Sequence, residues 1–276
     1  MRKFLPAVCA IALLIPMAYA YAQVGGGPPA NGPNVPFGKI DRQTWGRAIT
    51  NAIDPQGSDP DQEYDPFGPD KLTVDAMSNQ GPATAVCNGE AELTYSPLGL
   101  ICESVASGYC NMASNTDPQA ATRSEFNCRT LSELGSKNAS MTETFPVIVR
   151  FVGYRNAESM DEKTVEGWGQ VLIKRADGTE EKYRVEVVPK GWKKQSPDEP
   201  YEPTEDFNWQ FELNLAPGDS VGIASAAEVR TYDVPGPTGP NGKQYANGDT
   251  YANLGLKVSV VVKPQENGPP PPPPGP

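Results

Sequence analysis

Hydrophobic and polar residues alternate most cleanly in the second half of the chain. Phe207, Trp209, Phe211, Leu213 and Leu215 are interleaved with Asn208, Gln210, Glu212 and Asn214, and Leu256, Val258, Val260 and Val262 repeat the pattern. A period of two separates the residue classes onto opposite faces of a pleated strand, so both stretches predict strands with one buried face. Val147, Val149 and Phe151 open the series. Gln170 to Arg175 and Lys182 to Val188 flank the turn Ala176-Asp177-Gly178-Thr179, and Asp-Gly between two such runs signals a hairpin. With Val221 to Ile223 and Glu228 to Tyr232, the pattern predicts about seven strands within residues 143–264, joined by turns rather than helices. That is the layout of an antiparallel β-sandwich, and the region is long enough to bury a core.

Two stretches are spaced differently. Asp41 stands as N-cap before Trp45, Ile49 and Ile53, which recur every four residues until Pro55, and this predicts one short helix. So short a helix is marginal alone and has to dock. Asp117 as N-cap, Pro118 as first helical residue and Gly135 as left-handed stop frame a second helix, with Ala121, Cys128, Leu131 and Leu134 on one face.

The ends have a different composition. Arg2 and Lys3 precede the apolar run Phe4 to Met17 and the small residues Ala18, Ala20 and Ala22, so residues 1–22 read as a secretory signal peptide. The protein is therefore expected to be secreted, extracellular or periplasmic, and to have no membrane insertion once the signal is removed. Residues 23–70 are rich in glycine and proline, a flexible segment interrupted by the short helix. Residues 265–276 include six consecutive prolines, a polyproline II tail.

Cysteine content adds a brace. Beyond Cys9 in the signal, Cys87, Cys102, Cys110 and Cys128 lie within residues 71–142 of an exported chain. An even count there predicts two disulfides, each worth about 2 to 4 kcal/mol, with three pairings open. The gaps are too long for a four-thiolate zinc site. The expected fold is mainly β: a sandwich of the immunoglobulin-like or pilin-like kind over residues 143–264, behind a small disulfide-braced part, 71–142, that contains one helix.

Charge and missing side chains exclude much chemistry. Without residues 1–22 the chain holds 34 acids against 21 bases, a net charge near −13, so nucleic acid is a poor partner. The absence of histidine removes Ser-His-Asp and Cys-His systems and histidine-ligated metals. Gly218-Asp219-Ser220-Val221-Gly222 matches the nucleophile-elbow pattern, yet it lacks a base and lies between predicted strands, so it reads as a turn.

Three binding features remain. Asp59, Asp61, Glu63 and Asp65 alternate in an expected loop, and hard oxygen ligands so spaced suit calcium, although the glycine and terminal acid of an EF-type loop are missing. Pro189 to Asp206 reads as a long loop carrying Trp192, Tyr201 and Glu202, an aromatic and carboxylate set that fits a glycan or peptide. Glu199, Glu202, Glu205 and Asp206 formally include the acid pair of a carboxylate-based hydrolase, but no pair is singled out. The third feature is the last strand, Gly255 to Lys263, loosely similar to strands of bacterial pilin-like domains. It suits completion of a neighbour's sheet. The sequence therefore points to an exported, non-catalytic β-sandwich protein, a structural or adhesive surface component that assembles with itself or with other surface proteins. A monomeric glycan- or peptide-binding module is the alternative.

Overall fold

The computed structural model describes residues 34–54, 57–68, 70–80, 83–112, 123–137, 141–157, 165–188, 191–195, 205–231 and 248–264. The expected signal peptide and polyproline tail, Asp117, Pro118 and Ala121, and Tyr201 and Glu202 lie outside these residues. The described chain forms β1 (Lys39–Asp54), β2 (Gly57–Gly68), β3 (Lys71–Gln80), β4 (Ala83–Ser96), β5 (Gly99–Met112), β6 (Arg123–Lys137) and β7 (Phe145–Ala157). It continues through β8 (Val165–Lys174), β9 (Glu180–Val188), β10 (Gly191–Gln195), β11 (Asp206–Leu215), β12 (Ser220–Arg230) and β13 (Gly248–Val262). A seven-stranded sheet has the order β10-β9-β8-β12-β6-β1-β2, and a six-stranded sheet has the order β11-β7-β13-β5-β4-β3. All pairs are antiparallel, and the two inner faces pack together as a sandwich.

No helix occurs among the described residues, so both helix expectations are corrected. Residues 39–54 are β1: Thr44, Ala48, Thr50 and Ala52 are fully buried, while Trp45, Arg47 and Ile49 are half-exposed. A spacing of four is a multiple of two, so Trp45 and Ile49 share a strand face as readily as a helical one. Pairing with β2 and β6 makes the segment a strand, and Gly46 lets it approach the facing sheet, since a Cβ there would stand 2.6 Å from Leu72. Residues 123–137 are β6, in which Ser124, Phe126, Cys128, Thr130, Ser132, Leu134 and Ser136 alternate inward. Leu131 lies on the opposite face from Cys128 and Leu134, and Gly135 pairs within the ladder instead of stopping a helix.

The sheets also cross the expected boundary near residue 142. β6 pairs with β12 and β5 pairs with β13, so one sandwich incorporates strands from 71–142 and 143–264 alike. Its inner seam is built from small side chains. The Ser104 hydroxyl donates to the Ser225 carbonyl at 2.8 Å, Ser132 donates to the Glu103 carbonyl at 2.6 Å and Thr130 to the Val105 carbonyl at 3.0 Å. Each bond runs from one sheet to the other, so buried hydroxyls are satisfied across the interface.

The expected disulfides are not present. Cys87, Cys102, Cys110 and Cys128 are thiols that form no disulfide, each at most 1% exposed. Cys102 and Cys110 share β5 eight residues apart, about 27 Å along an extended strand, which rules out their pairing. The thiols act as small apolar fillers and weak donors: Cys102 Sγ lies 3.6 Å from the Ile223 carbonyl and Cys87 Sγ 3.5 Å from that of Ile49. Burial drives the Cys102 thiol well above its ordinary range, and contact with Cys87 together with burial does so for Cys128.

Candidate functional site

The sandwich has four sheet edges: β2 and β10 on one sheet, β3 and β11 on the other. An unpaired edge is a template for another strand, and three of these are blunted. On β3, the Asp75 N–H donates to the Glu63 carboxylate of β2 at 2.5 Å. β2 contains Pro60 and Pro66, which offer no N–H. β10 has five residues and carries Lys193 and Lys194.

β11 is different. It runs ten residues without proline, glycine or lysine, and its register with β7 is unbroken from Asp206↔Tyr154 to Leu215↔Phe145. Among the described residues no strand pairs with its other side.

Aromatic side chains pack along the inner face of this edge. Phe207 is buried against Trp192 with ring centroids 5.3 Å apart, Trp209 stacks on Phe151 at 5.2 Å and Phe211 meets Tyr183 at 4.6 Å. Trp209, Phe211 and Leu213 are only partly covered. On the outer face Asn208 accepts from Arg150 Nε at 3.1 Å and Glu212 accepts from Lys263 Nζ at 2.9 Å, while Gln210 is exposed between them. The edge therefore presents backbone groups flanked by half-covered aromatics on one side and amides on the other.

The residues singled out in the sequence are dispersed. Trp192 is not a loop residue: it sits on β10, fully buried, with its ring against Gly153, where a Cβ would come within 2.4 Å of it. With no ring face open, its expected contact with a glycan or peptide is replaced by a core role, and Tyr201 and Glu202 fall outside the described residues. Asp59, Asp61, Glu63 and Asp65 lie on β2 rather than in a loop, which spreads them along a strand instead of wrapping them round one point. Glu63 is exposed, and the side chains of Asp59, Asp61 and Asp65 lie outside the described residues. The last strand is likewise not an edge. β13 is central in its sheet, paired to β5 and β7 along its length, so Gly255 to Lys263 has no free side to donate.

Gly218-Asp219-Ser220 forms the β11–β12 turn, with Gly218 at φ 89°. Asp219, 2% exposed, accepts from Arg175 Nη1 at 2.7 Å, the Ala216 N–H at 2.9 Å and the Ala176 N–H at 3.1 Å. Arg175 also grips Glu181 with two nitrogens, at 2.7 and 2.9 Å, and these carboxylates hold the guanidinium well above its usual pKa. A shallow basin beside this knot is lined by Lys137, Lys174 and Ser220, which stand in one cross-strand row.

The outer face of the seven-stranded sheet holds a feature that the sequence pattern did not reveal. Trp45, Leu131, Ala226 and Trp168 form one row across β1, β6, β12 and β8. The Arg129 guanidinium lies over Trp45 at 5.4 Å and that of Arg184 over Trp168 at 4.6 Å. One row along, burial raises the pKa of the Glu133 carboxyl.

No family model matches the chain, and no curated protein matches it. Among solved structures, similarity is recorded to the infectious bursal disease virus Gt strain, at 8% identity over 85% of this chain and 75% of that one, with a TM-score of 0.18. A CocE/NonD family hydrolase from Staphylococcus aureus is similar at 9% identity over 72% of this chain and 39% of that one, with a TM-score of 0.15.

Proposed function

We propose that the protein is an exported, non-catalytic structural or adhesive component that assembles by strand addition through β11. The observation that carries this reading is the long, regular and unblunted β11 edge in a sandwich whose other three edges are shortened, prolylated or capped. An incoming strand pairs with the edge backbone and packs alternate side chains against the half-covered Trp209 and Phe211. Light scattering on purified wild-type chain at rising concentration is expected to show mass beyond the monomer. Leu213→Lys places a charge on the half-covered inner face, and it is expected to leave a folded monomer. A wild-type chain that stays monomeric alone and with its surface partners contradicts the reading.

A glycan-binding reading is favoured by a separate observation, the Trp45 to Trp168 row with its arginines and nearby amides. Glycan-induced change in tryptophan fluorescence that Trp168→Ala abolishes and Leu213→Lys preserves would select it instead.

A further inference from the structure

We propose that the occupant of the β11 edge is a second copy of the same edge, antiparallel to the first across a two-fold axis at Gln210. This rests on the strand-addition reading above and adds partner, orientation and register.

Directly opposed residues on an antiparallel pair point to the same face, so in a β11–β11 pair even-numbered residues must meet even and odd must meet odd. Even positions, Asp206 to Asn214, form the polar outer face, and odd positions, Phe207 to Leu215, the apolar inner face. A self-pair therefore continues both faces of the six-stranded sheet without placing an apolar side chain against a polar one.

Charge then selects the register. An axis at Trp209 would set Asp206 opposite Glu212 of the other copy twice, two like-charge pairs that oppose association. An axis at Gln210 removes both: Gln210 meets its own copy, Asn208 meets Glu212, and Asp206 meets Asn214, so each carboxylate faces an amide that can donate to it. On the inner face the same axis sets Trp209 opposite Phe211 twice and Phe207 opposite Leu213 twice. Moving the axis to Phe211 keeps the charges apart but replaces the two Trp–Phe pairs by one Phe–Phe and two Trp–Leu pairs. Cross-strand aromatic pairs are the stronger contacts, so Gln210 is the favoured centre.

Among the described residues the approach is open. Gln210 is exposed, β10 beneath the edge is only five residues long, and Trp209, Phe211 and Leu213 remain partly uncovered in the single copy. A two-fold closes after two copies and uses up the edge. The product is then a discrete dimer with one continuous sheet, from which larger assemblies would need a different surface.

The test is Gln210→Cys in the full chain, oxidised with diamide. Opposed Cβ atoms in such a pair lie about 4.5 to 5.5 Å apart, within small adjustment of disulfide geometry. The expected result is a reducible species of twice the monomer mass, about ten-fold or more above that of the wild-type chain, and lost when Leu213→Lys is added. The wild-type chain controls for its own cysteines, of which the four described are buried. If wild type assembles and Leu213→Lys prevents it, but Gln210→Cys gives no cross-link, strand addition stands and the two-fold is overturned. Cross-linking by Phe211→Cys in place of Gln210→Cys overturns the register. If wild type does not self-associate at any concentration, the second copy is overturned as occupant, and loss of all partner binding would be needed to overturn strand addition itself.

Discussion

Asp219 ties two turns to one arginine. Its carboxylate is almost fully buried, and Asp219→Ala would take the acceptor from two turn N–H groups while Arg175 keeps Glu181 and the Asn214 carbonyl, at a cost of about 1 to 3 kcal/mol. Chemical denaturation of the variant measures this as a lower midpoint at unchanged slope. Glu133 behaves in the opposite sense. Burial raises its folded pKa, so the folded state favours the protonated form, and its stabilising share is complete below the ordinary carboxylate range and is lost as pH rises through the folded value. Glu133→Gln is therefore expected to raise the melting temperature at pH 7, with the gain vanishing toward about pH 4. A gain that persists unchanged in acid would remove desolvation as its cause. At this scale the sequence was informative about turns and poor about partners. Gly218 and Gly178 declared their turns, but Asp219 and Arg175 lie 44 residues apart and meet only because β8 and β12 pair.

At the scale of elements, strict alternation was legible and mixed spacing was not. The stretches Phe207–Leu215 and Val147–Phe151, and the Asp177-Gly178 hairpin, are strands and turn as the residues require. In β1 and β6 the buried positions are mostly alanine, serine, threonine, cysteine and glycine, which carry little hydropathy contrast, so caps and every-fourth apolar residues suggested helices. These small residues are what lets the sheets approach closely. A Cβ on Gly108 would stand 2.2 Å from the Phe126 ring, as would one on Gly153 2.4 Å from Trp192. Gly108→Ala and Gly153→Ala should each cost about 1 to 3 kcal/mol through forced repacking, read as lowered denaturation midpoints. Gly99→Ala, with its nearest side-chain atom at 3.4 Å, is the control expected to stay near wild type in crowding.

For the whole molecule, the sandwich class was visible in the sequence, but its extent and the choice of edge were not. Strand order is a property of long-range pairing: β13, the last strand in sequence, is central, whereas β11 lies at the rim. The cysteines show the same limitation, since proximity in sequence placed them within 42 residues while the strands carry Cys102 and Cys110 far apart. In the native chain the four described thiols should resist a maleimide probe and all react after denaturation without reductant; four silent thiols would instead mean disulfides. Assembly through the β11 edge is visible to hydrogen–deuterium exchange. Followed through residues 206–215 at low and high protein concentration, the backbone amides facing away from β7 should exchange fast when dilute and gain protection as the chains associate. Exchange in β11 that is independent of concentration while the chain assembles would place the contact elsewhere and rule out pairing through β11.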